Sequence, residues 1–364
     1  MKTSSQILNL IALVSVASAG CAKMEFVKIP DNASLVTPNP SPTPPQKLPD
    51  YTYSDVVKAG NKQVDFLLVM DDSNSMLADL KKLAASMNDF MGSLEASQID
   101  WQMCLTTTKA LPDSAGTYHW GMPLTWAQYS PLSGVSPWVL KKGTTNMNSI
   151  FTSTVDTLQI GGGASGDERG IKATYANFLN VGNGCYRDGA AKSVILISDE
   201  DERSVGGDQS NVKAKDSATA YQPLEAEDQP ANLVALTKTV FGEDVRFTFN
   251  SIIVKPGDSV CEMTQDQDTS PSHAGYVYND LSNLTQGGVG SICDANFATS
   301  LNTFKDKIIN SLSQISLECD PDLQTLTVAV DGQIIKNYSV SGNVLHFAAP
   351  LTEGTKLDMS YDCK

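Results

Sequence analysis

Two spacings of apolar residues alternate along this chain. One is a short, continuous run of β-type residues. Val64–Met70 (VDFLLVM), Ile99–Thr107 (IDWQMCLTT), Ala191–Ser198 (AKSVILIS) and Val245–Val254 (VRFTFNSIIV) are such runs. They predict strands of the kind that parallel sheets bury on both faces. Between the runs the spacing lengthens to the period of a helix. Leu77, Leu80, Leu83, Ala84, Met87, Phe90 and Met91 mark a helix over Met76–Leu94, and Phe297, Leu301, Phe304, Ile308, Ile309 and Leu312 mark another over Phe297–Ile315. Shorter helices are predicted over residues 146–158, from Glu168 to Asn180, around Pro230–Phe241 and near Tyr278–Thr285, with a short strand near Gly290–Cys293. Strand and helix alternate through residues 64–315. That pattern predicts an α/β fold, a doubly wound and mostly parallel sheet with helices on both faces.

From Cys319 onward the texture changes. Gln324–Val330, Ile334–Val340, Val344–Ala348 and Lys356–Tyr361 are short β-runs punctuated by Asp331-Gly332 and Ser341-Gly342-Asn343. They predict a small antiparallel β module over residues 318–364. A unit of this size is marginal by itself, so a disulfide between its ends and docking on the larger domain are expected. At the other end, Lys2 precedes an apolar run, Ile7 to Val16, and then Ala17-Ser18-Ala19-Gly20-Cys21. Residues 1–20 read as an export signal, to be set aside from the fold. Residues 21–60 carry Pro38, Pro40, Pro42, Pro44 and Pro45 among polar residues and predict an extended, flexible linker.

Composition narrows the function classes. The chain has 364 residues, 41% hydrophobic and 18% charged, with a formal net charge of −15. That is a globular composition with a charge that opposes nucleic-acid binding and simple attraction to anionic lipid. The signal resembles that of bacterial lipoproteins, in which the cysteine after small residues is lipidated. Ser18 departs from the usual aliphatic, and Ala17-x-Ala19 also permits ordinary cleavage before Gly20. Lipidation at Cys21 leaves an even set, Cys104, Cys185, Cys261, Cys293, Cys319 and Cys363, which suits an oxidising compartment. Six cysteines allow 15 pairings. Joining neighbours gives Cys104–Cys185, Cys261–Cys293 and Cys319–Cys363. Ala22 is not the acid that retains many lipoproteins at an inner membrane, so an outer-membrane anchor in the bacterial envelope is expected.

The chemistry gathers at strand ends. Asp71, Ser73 and Ser75 follow the first run, and Asp199-Glu200-Asp201-Glu202 follow the third. In open α/β sheets, ligands bind at the carboxyl ends of strands. These groups offer oxygen alone, which suits a hard divalent cation, Mg²⁺ or Mn²⁺ before Zn²⁺. Gly161–Gly170 is a glycine-rich loop opening a helix, but it lacks the Gly-Lys-Ser/Thr ending of a phosphate-binding P-loop. Asp266–Pro271 fails as a calcium loop, because Pro271 stands where glycine is needed. Residues 108–138 lack periodicity and hold Trp120, Trp126 and Trp138. These are expected either to rim a ligand site or to pack on one another. His119, His273 and His346 are expected at the surface, and no Ser–His–Asp set is evident. An aspartyl phosphotransferase would need an acid two residues after Asp71. Ser73 stands there, so an enzyme is not expected.

Asp71-x-Ser73-x-Ser75 after a strand, the glycine-rich second loop, and Ile197-Ser198-Asp199 after a later strand together resemble a von Willebrand factor type A domain with a metal-ion-dependent adhesion site. The resemblance covers residues 61–317 and excludes the C-terminal module. It implies that Ser73 and Ser75 ligate a metal directly, while Asp71 and Asp199 act mainly through metal-bound water. Matching Gly170-Ile171 to the family's helix start puts Ser165 where the family has threonine, with Asp167 in reserve. The function implied is capture of a partner protein's Asp or Glu carboxylate by the ion. A structural or assembly role in the envelope, with the fold as scaffold, is the alternative.

Overall fold

The computed structural model describes residues 49–56, 62–97, 99–129, 137–160, 167–217, 220–267, 271–352 and 354–364. The main sheet has six strands. In spatial order they are β6 (Leu140–Lys141), β3 (Asp100–Thr107), β2 (Gln63–Met70), β7 (Ala191–Ile197), β8 (Phe247–Ile253) and β9 (Val289–Ser291). Every pairing is parallel except that of β6 on β3. The continuous apolar run of β2 has a direct cause: both of its faces are covered. Phe66, Leu68 and Met70 join one core with residues of α1 (Leu77–Ala96), α2 (Met147–Ile160) and α7 (Ala298–Leu312). Leu67 and Val69 point the other way, into a core with α3 (Gly170–Leu179), α4 (Pro230–Phe241) and α6 (Tyr276–Leu284). Each large apolar side chain so buried contributes about 1.5–3 kcal/mol relative to exposure. The expected α/β layering is therefore present, with a mostly parallel sheet.

Asp65 is the one acid inside the β2 run, and it is fully buried. It accepts hydrogen bonds from Lys192 Nζ at 3.0 Å and from Arg187 Nε at 2.7 Å. This ion cluster lies at the amino end of the strands, opposite the Asp71 end, and neutralises a charge that would otherwise be very costly to bury.

Two small antiparallel sheets make the C-terminal module. One has the order β1 (Tyr51–Val56), β15 (Lys356–Tyr361), β11 (Thr327–Val330), β12 (Gln333–Ile334), and the other β10 (Gln314–Ser316), β14 (Val344–Phe347), β13 (Tyr338–Ser341). They share a core that includes Val328, Leu345, Leu357, Met359 and Tyr361. The module thus starts before residue 318 and recruits a strand from the stretch expected to be linker. That strand pairs along its whole length with β15, from Tyr51↔Tyr361 to Val56↔Lys356. Tyr51 stacks on Tyr361 with ring centroids 5.5 Å apart. Proline-rich composition upstream hid the alternating pattern of Tyr51 and Tyr53. The sequence reading also missed a short hairpin, β4 (Leu111–Pro112) with β5 (Tyr118–His119), and the helix α5 (Ser259–Gln265). The signal segment, Cys21 and most of the expected linker lie outside the described residues.

The three disulfides join Cys104 to Cys185, Cys261 to Cys293 and Cys319 to Cys363. The last closes the module near both ends of its sequence. Among the described residues, no helix is long and apolar enough to cross a membrane. The pairing of β1 makes a prediction about truncation. A chain beginning at Pro49 should melt as the full chain does, whereas removal through Val56 should lower the melting temperature by at least about 3 °C. Calorimetry checks this, and equal melting of the two truncations would contradict the role given to β1.

Candidate functional site

Three strand ends meet at the carboxyl edge of the sheet. The amide of Asp71 donates to the carbonyl of Ile197 at 3.0 Å, carrying the β2–β7 ladder one residue past β2. The chain then turns through Ser73 into a single 3₁₀ turn, Asn74–Met76, and on into α1. Asp71 stabilises that turn. Its Oδ1 accepts from the Ser73 amide at 2.9 Å and its Oδ2 from the Ser198 hydroxyl at 2.7 Å. This leaves the hydroxyls of Ser73 and Ser75 together, 3.0 Å apart and both buried. Asp72 is mostly buried beside them and ion-paired with Lys109.

Asp199 follows β7. Its carbonyl accepts from the His273 amide at 2.9 Å, which fixes its backbone. Its carboxylate is 1% exposed, and neither oxygen accepts a hydrogen bond. A buried, unsatisfied carboxylate is costly. Burial pushes the Asp199 carboxyl well above its usual range, the nearby Asp71 and Glu200 charges push further, and the neighbouring Ser75 hydroxyl, outside hydrogen-bond geometry, opposes them.

The rest of the acidic run has other work. Asp201 accepts from the amides of Val277 and Tyr278, capping the start of α6. Glu202 accepts from the amides of Ile171 at 2.8 Å and Lys172 at 3.1 Å, capping the start of α3. Carboxylates at helix N-termini satisfy donors that have no partner within the helix. Gly206 makes the tight return after this run possible. Its φ is +67°, and a Cβ there would come within 2.4 Å of the Asp201 carboxylate.

The segment before α3 is held residue by residue. Asp167 takes a two-pronged ion pair from Arg203, at 3.1 and 2.8 Å. Glu168 accepts from the Ser204 hydroxyl at 2.7 Å. Arg169 grips Asp228 with two hydrogen bonds, at 2.9 and 2.7 Å, and lies against the Trp120 ring. The Gly170 amide donates to the Tyr278 hydroxyl at 3.1 Å. Glu168 is 1% exposed. Burial drives its carboxyl well up, and the charges of Glu200 and Asp71 add to the effect. Burial likewise raises Glu200 to about 7, and its amide donates to the Ser198 hydroxyl at 3.1 Å.

Asp71, Ser73, Ser75 and Asp199, expected together from sequence, therefore meet at one strand edge. Ser165 lies outside the described residues. Asp167, the reserve ligand, is committed to Arg203. Of the tryptophans expected either to rim a site or to pack, Trp120 is half-buried beside Arg169 and Lys172. Trp126 is 3% exposed, packs edge-on against Phe151 and donates to the Trp138 carbonyl, while Trp138 packs on the second core. His273 is buried, against expectation, with its ring near Asp216. Sequence reading missed Glu168, Ser198 and Ser204. Ser198 could have been found, since it stands in the strand-end motif. It also missed Thr107, which pairs in register with Met70 and has a buried hydroxyl without a hydrogen-bond partner.

No protein-family model matches the chain, and no curated protein matches it. Among solved structures, it is similar to the pilus adhesin SpaC from Lactobacillus rhamnosus GG in its open conformation, at 11% identity over 85% of this chain and 40% of that one, with a TM-score of 0.32. It is similar to the human COPII-coat protein Sec24c, at 10% identity over 88% of this chain and 40% of that one, with a TM-score of 0.38. It is also similar to proximal thread matrix protein 1 from the mussel byssus, at 11% identity over 73% of this chain and 51% of that one, with a TM-score of 0.34. The chain thus spans about half or less of each of these proteins. Likenesses of this size carry no argument about family or function.

Among the described residues, no three His, Cys, Asp or Glu side chains are arranged to hold a metal ion by themselves. The donor set here mixes carboxylates with hydroxyls, all of them oxygen, as a hard divalent cation requires. The orphaned oxygens of Asp199 and the paired hydroxyls of Ser73 and Ser75 fit such an ion. The same burial predicts a pH dependence in metal-free buffer. The folded form holds a proton on Glu200 up to about pH 7, whereas the unfolded chain gives it up near 4.5. Stability from this group is therefore full below pH 4.5 and lost as pH rises through about 7. Melting curves across that window should show Glu200→Gln losing less stability than the parent; parallel curves would contradict the assignment.

Proposed function

We propose that this chain is an exported, lipid-anchored binding protein. In this reading its α/β domain is of the von Willebrand factor type A kind and engages a partner protein through a divalent ion, Mg²⁺ or Mn²⁺. The observation that carries the reading is the buried Asp199 carboxylate with no hydrogen-bond partner, at the same strand edge as Asp71, Ser73 and Ser75. An ion at this place would supply a positive, oxygen-seeking contact for an Asp or Glu side chain of the partner. The chain's residues do the rest. Ser73 and Ser75 offer neutral hydroxyl ligands, which leave much of an ion's charge uncompensated. Asp71 orients Ser73 through its amide and is itself held by Ser198. The two loops that carry these groups are braced by Asp201 and Glu202 at the starts of α6 and α3. No nucleophile–base pair is part of the reading, and the function proposed is binding, not catalysis.

A second reading keeps the ion internal and makes the domain a scaffold within the envelope. The burial of Glu168, an acid of the same chain whose carboxyl is pushed up in part by the Asp71 charge, favours it. The anchor invoked in both readings is Cys21, in the outer membrane of the bacterial envelope.

Two measurements check the proposal. Mn²⁺ or Mg²⁺ at about a hundredfold excess over its Kd should stabilise the protein by about 2.7 kcal/mol, a rise of several degrees in melting temperature. Asp71→Ala combined with Ser73→Ala should abolish that rise, and a variant that responds as the parent does would show the site to be misassigned. Cys21→Ser should shift the protein from the membrane to the soluble fraction of cells; unchanged membrane association would refute the anchor.

A further inference from the structure

The main sheet ends at β9, and among the described residues no strand lies beyond it. A parallel ladder turns alternate residues of an edge strand toward its neighbour and the others outward. The Gly288 carbonyl accepts from the Ser251 amide at 3.0 Å, and the Ile292 amide donates to the Ile253 carbonyl at 3.0 Å, so these residues face β8. By the same alternation Val289 turns its N–H and C=O outward. Val289 lines a cavity of about 560 Å³ at this edge, a size in the range of small-molecule sites. Gly287 and Gly288 line it too. A Cβ on Gly287 would collide with the Phe249 carbonyl, and one on Gly288 with the Phe304 ring. The chain therefore lies hard against the sheet here, with no side chain of its own to fill the space.

The walls are polar and carry one sign of charge. Asn279 and Asn283, four residues apart on one face of α6, line the cavity, as does Lys307 of α7. Lys255, two residues past β8, is half-buried and lines it as well. The chain's net charge is −15, yet no acid is among the lining residues. Lysines elsewhere are committed, Lys109 to Asp72, Lys192 to Asp65 and Lys213 to Asp266. Among the described residues, neither Lys255 nor Lys307 has an ion pair or hydrogen bond at its ammonium, and the side-chain amides of Asn279 and Asn283 have no partner. Acids close by in sequence are engaged elsewhere. Asp258 caps α5 through the Cys261 amide at 3.0 Å, and Asp306 lies 3.8 Å from Lys305.

We propose that this cavity binds a small anion, a molecule bearing a carboxylate or a phosphate, between Lys255 and Lys307. The two ammonium groups supply charge, and the amides of Asn279, Asn283 and Val289 supply direction. The site stands apart from the metal reading and does not depend on it.

The test uses the purified full chain in chelator-treated buffer, with inorganic phosphate and citrate as the probes. Each is titrated by calorimetry at constant ionic strength. At least one should bind at one per chain. Lys255→Gln and Lys307→Gln should each raise the Kd about tenfold, since each removes a charge-assisted hydrogen bond. Lys336→Gln makes the same charge change at an exposed lysine of the C-terminal module and should leave the Kd as it is. Binding of phosphate but not citrate assigns the phosphate class, and the reverse assigns the carboxylate class. Binding of both, weakened by either cavity substitution, supports the shared site. Absence of binding by either probe overturns the proposal. So does a Kd that is unmoved by the cavity substitutions, or that rises equally in all three variants, since the anion would then answer only to overall charge.

Discussion

The arrangement of this molecule turns on a cost: carboxylates have been moved out of water at the carboxyl end of a parallel sheet. Asp71, Glu168 and Asp199 are each at most 1% exposed. Burying one such group without a counter-charge is expensive, and burying several side by side compounds the penalty. At the opposite end of the same sheet the chain meets an equal problem in the usual way, with Lys192 and Arg187 placed on Asp65. At the Asp71 end Lys109 is taken by Asp72, and Asp71 and Glu168 are met by hydroxyls and an amide instead. That contrast between the two ends of one strand is the physical basis of the metal reading. It requires neither a relative nor a motif.

The surrounding loops follow from the same constraint. A run of four acids after β7 would repel itself if all four faced one place. The fold divides them. Asp201 and Glu202 are spent on the amides at the starts of α6 and α3, so the charge that would be hardest to bury is used to end two helices. Asp199 and Glu200 remain at the strand edge. Arg203 and Arg169, close by in space, are taken up by Asp167, Glu225 and Asp228. The cations of this region are therefore neutralised by other acids.

Much of this was legible in the sequence, for reasons that can be named. Strands buried on both faces need apolar residues at nearly every position, so β2, β3, β7 and β8 stood out, and α1 and α7 showed their apolar stripes. Asp71, Ser73, Ser75 and Asp199 were visible because strand ends in such sheets lie together. What escaped was decided by partners distant in the chain. Tyr51–Val56 is a strand only because β15 is beside it. Trp126 is core because Phe151 and the Trp138 carbonyl receive it. Asp167 and Glu168 are neighbours in sequence with the same charge. Only the positions of Arg203 and Ser204 send one to an ion pair and the other to a buried hydroxyl.

The central claim is that a divalent cation belongs among these oxygens. The most direct test is crystallographic. Crystals of the protein soaked in Mn²⁺ should give an anomalous difference peak bounded by Ser73, Ser75, Asp71 and Asp199. Clear density for those side chains with no anomalous peak among them, or a peak only elsewhere on the molecule, would contradict the account.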